Sequence, residues 1–166
     1  MTPAIQTDPR RWFGRSLAFG LFMSLLDVTV VNVALPSIQR SLHESFTSLE
    51  WMLNAYALVV AVVLVTASRL GDILGRKRLF LNGMGIFATG SLLCGVSPHV
   101  HITGLSGADA LDIARGIQGL GGAAMVPLSL SLITATFHGT ERGTAFGIWG
   151  GVSGLATAMG PLVGGL

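Results

Sequence analysis

Five apolar segments, each close to bilayer length, follow one another along this 166-residue chain. A helix needs about 20 residues to cross roughly 30 Å of hydrocarbon. Segment one runs from Ser16 to Gln39, interrupted only by the charge of Asp27. Segment two, Trp51 to Ser68, and segment three, Leu79 to Ser97, carry no charge. Segment four starts near Ala110, contains Arg115 and then runs uncharged from Gly116 to Phe137, and segment five is Gly143 to Leu166. Runs this long exceed soluble strands, and they lack the strict alternation of a membrane barrel. The expected fold class is all-α integral membrane. A short N-terminal segment, 1–15, precedes helices over about 16–38, 50–69, 79–97, 110–136 and 143–166.

Composition excludes the soluble alternative. Charged residues make up only 11%, against about 25% in soluble domains. The 23 glycines are costly in exposed soluble helices, yet common where membrane helices approach closely. Cys94 is the only cysteine, so no internal disulfide can form, and its apolar segment marks it as a packed thiol.

The placement of the basic residues orients the chain. Arg10, Arg11 and Arg15 precede segment one, and Arg69, Arg76, Lys77 and Arg78 lie between segments two and three. Arg142 lies between four and five, whereas the two intervening loops on the other side hold only Arg40. Lys and Arg accumulate in cytoplasmic loops, which predicts a cytoplasmic N-terminus in a plasma-membrane protein. Asp8-Pro9-Arg10-Arg11-Trp12-Phe13 has some likeness to a twin-arginine export signal. The apolar segment behind it is too long for a signal core and carries Asp27, with no cleavage site and soluble domain to follow.

Two ionisable residues lie at membrane depth. Asp27 is about 16 Å into segment one, and Arg115 enters segment four from the opposite side to roughly 8 Å, at 1.5 Å per residue. The two depths differ by about one helical turn, so the arginine can reach the carboxylate. An intramembrane ionisable residue costs several kcal/mol unless paired or hydrated, and marks ion and proton paths. Asp27 and Arg115 are therefore expected to be coupled beside a central cavity, with Arg115 biasing the proton occupancy of Asp27. A static pair locking helix one to helix four is the plainer alternative.

The strongest short motif is Ser68-Arg69-Leu70-Gly71-Asp72-Ile73-Leu74-Gly75-Arg76-Lys77-Arg78. It reads as a tight turn between two membrane helices. Gly71 and Gly75 permit close approach or unusual backbone angles. Asp72 can pair with a base or cap the next helix, and Arg76, Lys77 and Arg78 can meet anionic lipid. This loop resembles the signature between helices two and three of the major facilitator superfamily. Ser68 stands in place of the first glycine, and Ile73 where a basic residue is common. Three further stretches agree in order. Leu26-Asp27-Val28-Thr29-Val30-Val31-Asn32-Val33-Ala34-Leu35-Pro36 resembles the first-helix motif of the fourteen-helix drug:proton antiporters. Arg115-Gly116-Ile117-Gln118-Gly119-Leu120-Gly121-Gly122-Ala123-Ala124 resembles the fourth-helix motif. Gly147, Ala156, Gly160-Pro161 and Gly164-Gly165 resemble the fifth-helix antiporter motif, with Ala156 replacing its middle glycine.

The resemblance implies a transporter, not an enzyme, that exports drugs or other amphipathic small molecules by alternating access. A proton is the coupling ion and no cofactor is needed. The implied roles are proton coupling for Asp27 and Arg115, and a conformational switch for Gly71, Asp72, Gly75, Arg76, Lys77 and Arg78. Gln118, Gly119, Gly147, Gly160, Pro161, Gly164 and Gly165 would serve helix packing. The partners expected are the lipid bilayer, a small-molecule substrate and the remaining transporter helices, with no nucleic acid. Because segment five ends at Leu166 without a polar flank, the chain reads as the N-terminal part of such a protein, a partial six-helix bundle. A truncated product without transport activity and a small membrane scaffold or regulatory partner are the rival readings.

Other features are weaker. Gly147/Gly151, Gly150/Gly154 and Gly160/Gly164 are small pairs four apart, the spacing of helix-contact faces. Pro161 removes a backbone donor and should bend its helix. Gly119-Leu120-Gly121-Gly122-Ala123-Ala124 matches a dinucleotide-loop pattern, but lies inside an apolar helix rather than after a strand. His99-Val100-His101, in an external loop, is two histidines without further placed metal ligands. Trp51 suits a membrane interface, and Tyr56 suits packing, with a place facing the substrate path as the alternative.

Overall fold

In hydrocarbon every backbone N–H and C=O must be satisfied within the spanning segment, which leaves helices as the form these five segments can take. The computed structural model describes residues 9–42, 45–97 and 107–164, and no strand occurs among them. Its helices are α1 (Pro9–Leu42), α2 (Phe46–Leu74), α3 (Arg76–Val96), α4 (Gly107–Thr136) and α5 (Gly139–Gly164). All five are long and apolar enough to cross a membrane. Their ends pass the apolar segments because helical backbone bonding continues into the polar flanks. α1 starts at Pro9, α2 continues through Arg69 and Asp72 to Leu74, and α4 starts at Gly107. Ser45 caps α2, its hydroxyl accepting from the Ser48 amide at 3.2 Å. Pro36, Pro127 and Pro161 lie inside helices, as membrane helices allow. α5 runs on through Pro161 to Gly164.

The connection between α2 and α3 is tighter than the loop read from sequence. Residues 68–74 are helical, Arg76 already opens α3, and Gly75 alone separates the two. Its φ of 96° is a conformation that only glycine adopts without strain. The Gly75 amide donates to the Gly71 carbonyl at 3.1 Å, and the Leu79 amide donates to the Gly75 carbonyl at 3.1 Å.

α4 is the hub. Of its most apolar window 61% is buried, against 11–22% for the other helices. It packs chiefly on α3 and α2, and α1 packs chiefly on α5. The bundle is thus a three-helix set and a two-helix set, joined mainly where α1 meets α4. Small residues set these distances. A Cβ on Gly90 would lie 2.7 Å from the Gln118 backbone, and one on Gly121 would lie 2.5 Å from the Gly83 carbonyl oxygen and the Phe87 amide. α3 and α4 therefore touch backbone to backbone, and only glycine fits. Gly160 packs on Thr29 and Gly164 on Val30 and Val33, which seats α5 against α1. Phe80, Phe87, Met125, Leu128 and Leu132 from α3 and α4 form the core with Leu17 of α1 and Ala67 of α2.

The other predicted pairs on α5 differ. Gly147, Gly150, Gly151 and Gly154 have no neighbour within 4 Å of an added Cβ among the described residues. The packing expected at Gly147/Gly151 and Gly150/Gly154 is not made there. Gly165, His99 and His101 lie outside the described residues.

Candidate functional site

Helical spacing puts three residues of α4 on adjoining faces: Arg115, Gln118 three positions on, and Gly119 four positions on. Because Gly90 lets α3 reach the backbone of Gln118, the Gln118 side chain is held in place. It is fully buried, and Arg115 is 3% exposed. Across from them α1 presents Asp27. Arg115 Nη1 donates to Asp27 Oδ2 at 2.6 Å and to Gln118 Oε1 at 2.6 Å, and Gln118 Nε2 donates to Asp27 Oδ1 at 2.8 Å. The three side chains close a ring of hydrogen bonds. Each has a distinct part: arginine only donates, an ionised carboxylate only accepts, and the amide does both.

The pair expected from the depth arithmetic is therefore in direct contact, and Gln118 has a second role. Besides packing, it completes the coordination of Asp27. Arg115 is buried, whereas the Asp27 side chain is 16% exposed, so the attraction is screened less than that of a surface pair.

α2 supplies a fourth member. The Tyr56 ring lies under the guanidinium, 4.5 Å from Arg115 Cζ to the ring centroid. Gly122 and Gly119 make room for it: a Cβ on Gly122 would meet the Tyr56 hydroxyl at 2.6 Å, and one on Gly119 the Tyr56 carbonyl at 3.0 Å. From the sequence Tyr56 is expected to pack or to face the substrate path, and its contact with Arg115 is not expected. The signal is a polar-tipped ring inside an uncharged segment, but its partner lies on a helix about sixty positions away.

A cavity of about 390 Å³ adjoins the ring and is lined by Asp27, Arg115, Val31, Met52, Cys94 and Leu111, among others. Its walls are mostly apolar and come from α1, α2, α3 and α4, so an amphipathic molecule could occupy it. Cys94 Sγ donates a weak bond to Gln118 Oε1 at 3.9 Å, as expected of a packed thiol. Among the described residues no group of His, Cys, Asp and Glu is placed to hold a metal.

Residues 17–166 match the family model of the Major Facilitator Superfamily. The chain belongs to that superfamily. It is 42% identical over 148 residues to the multidrug resistance protein Stp of Mycobacterium tuberculosis, covering 89% of this chain and 26% of that one. The tetracenomycin C resistance and export protein of Streptomyces glaucescens is 41% identical, over 99% of this chain and 29% of its own length. The puromycin resistance protein of Streptomyces alboniger is 42% identical, over 96% and 30%. The chain thus spans less than a third of these relatives. It is a multi-pass membrane protein of a transporter family whose similar members are named for drug and antibiotic resistance and export.

The superfamily signature turn lies at the far end of α4 from the triad. Asp72 and Arg76, one helical turn apart across Gly75, form an exposed ion pair at 2.8 Å. Asp72 pairs with Arg76 and does not cap α3, whose N-cap is Gly75 with no side-chain bond. Arg76 Nη1 also donates to the Ser131 carbonyl of α4 at 3.4 Å. Gly71 rests on Leu128. The turn is thereby fastened to α4 at two points, while Lys77 and Arg78 remain exposed.

Proposed function

We propose that this chain provides the proton-coupled part of a drug exporter, working by alternating access in the plasma membrane with its N-terminus in the cytoplasm. The exported compounds are drugs or other amphipathic small molecules, and a proton moving inward is the coupling ion. The rest of the transport path is supplied by helices beyond those of this chain. The resistance and export functions named for its relatives support the substrate class. The accumulation of Arg and Lys on one side of the segments supports the orientation.

The observation that carries this reading is the closed ring of Asp27, Arg115 and Gln118. With Asp27 ionised every bond is donor to acceptor. A protonated carboxyl carries one O–H donor. Oδ1 faces an N–H of Gln118 and Oδ2 faces an N–H of Arg115, so a proton on either oxygen shares it with an N–H already aimed there and removes the charge that makes both bonds strong. Proton uptake therefore weakens the ring at the seam where α1 with α5 meets α4. A substrate that favours the closed ring and a proton that weakens it then work against each other, which is the requirement for antiport.

The test replaces the matching segment of the Streptomyces glaucescens export protein with residues 17–166 of this chain. Efflux of a fluorescent amphipathic dye is followed in energised membrane vesicles. The expected efflux is abolished by an uncoupler and by Asp27→Asn. Efflux indifferent to both overturns the reading.

A further inference from the structure

The triad uses only Nη1 of Arg115. Its Nε–H is buried with no hydrogen-bond partner among the described residues, and a buried donor without a partner is costly. Part of the support for this cation comes from the Tyr56 ring, 4.5 Å from Cζ to the ring centroid, a distance at which the π electrons attract the cation. The ring is itself held in place by packing, its hydroxyl against Gly122.

We infer that Tyr56 is a positioning residue for proton coupling, which keeps water from the Arg115 guanidinium and so directs its charge onto Asp27. This rests on the reading of Asp27 as the proton carrier. Without the ring, water reaches a guanidinium that is now only 3% exposed, and hydration screens its charge. Asp27 already has some access to water, so the gain falls mainly on the arginine. The ionised carboxylate loses support, and protons bind at higher pH. Few other groups can produce such a change. Cys94 on α3 lines the same cavity, and Asp112 lies one turn before Arg115 on α4. On α1 the side chain of Arg40 is turned back to the Pro36 carbonyl, and on α5 Glu141 and Arg142 lie in its first turn.

The experiment uses the full chain in lipid vesicles. Difference infrared spectroscopy follows the protonated-carboxyl band that disappears in Asp27→Asn, across a pH titration. Tyr56→Ala should raise the midpoint by on the order of one pH unit, a tenfold change in proton occupancy. Tyr56→Phe keeps the ring and should titrate like the parent. Tyr56→Ser replaces Tyr56→Ala if the latter does not give the helical circular dichroism of the parent. An unmoved midpoint in a folded ring-less variant overturns the inference and leaves the proton-carrier reading standing. An equal shift in Tyr56→Phe also overturns it, assigning the effect to the hydroxyl. A parent chain with no titrating band overturns both.

Discussion

Asp27→Asn removes one charge and almost no volume, which makes it the sharpest test of the triad. In the parent, Asp27 accepts from Arg115 at 2.6 Å and from Gln118 at 2.8 Å. An asparagine can accept through its oxygen but must direct its NH2 at one of those donors. The Arg115 cation also stays buried, with only neutral acceptors, the Gln118 oxygen and at best the asparagine oxygen, in place of a carboxylate. Breaking a buried pair by removing one partner costs about 3–5 kcal/mol. The shape is kept and one bond survives, so about 3 kcal/mol is expected, roughly a hundredfold in the unfolding equilibrium. Denaturing-detergent titration of the chain in mixed micelles, followed by tryptophan fluorescence, measures it. Asp72→Asn is the control: its ion pair with Arg76 is exposed, and such pairs contribute about 0–1 kcal/mol. In a double-mutant cycle with Arg115→Met, the combined loss should fall short of the sum by about 2 kcal/mol, since the second change removes the stranded charge. Asp27→Asn costing no more than Asp72→Asn, or additive losses in the cycle, would refute the argument.

Other outcomes follow from the packing. Gly90→Val should destabilise by about 2–3 kcal/mol in the same titration, because its Cβ meets the Gln118 backbone at 2.7 Å. Gly85→Ala, on the open side of the same helix, should be neutral or stabilise by up to about 1 kcal/mol. On α5, Gly160→Val should separate α5 from α1, seen as lost cross-linking between cysteines placed on the two helices, whereas Gly147→Ala should leave it intact. Trp149→Phe removes the bond from Trp149 Nε1 to Ser129 Oγ at 3.1 Å and should cost about 1 kcal/mol, read by thermal unfolding.

The number of helices, their class and the meeting of Asp27 with Arg115 were legible in the sequence by itself. Each depends on local quantities: the length of an uncharged run, the rise of a helix and the cost of a charge in hydrocarbon. The glycine at position 75 belongs to the same class, since a one-residue turn needs a backbone angle that glycine supplies. Which glycines would meet a neighbour was not legible. Gly160/Gly164 and Gly150/Gly154 have the same spacing, yet the first pair packs on α1 and the second faces open space. Spacing marks a face, and only the arrangement of the other helices decides what covers it. The tertiary structure also decided the composition of the site. Asp27 and Arg115 were expected to meet, but the hydrogen bonds of Gln118 and the ring of Tyr56 arise from the rotation of α4 against α3 and α2. That rotation is set where Gly90, Gly119 and Gly121 bring backbones together. Local physics determined that Asp27 and Arg115 would lie within reach of each other. Packing determined that Gln118 would join them in a closed ring of hydrogen bonds.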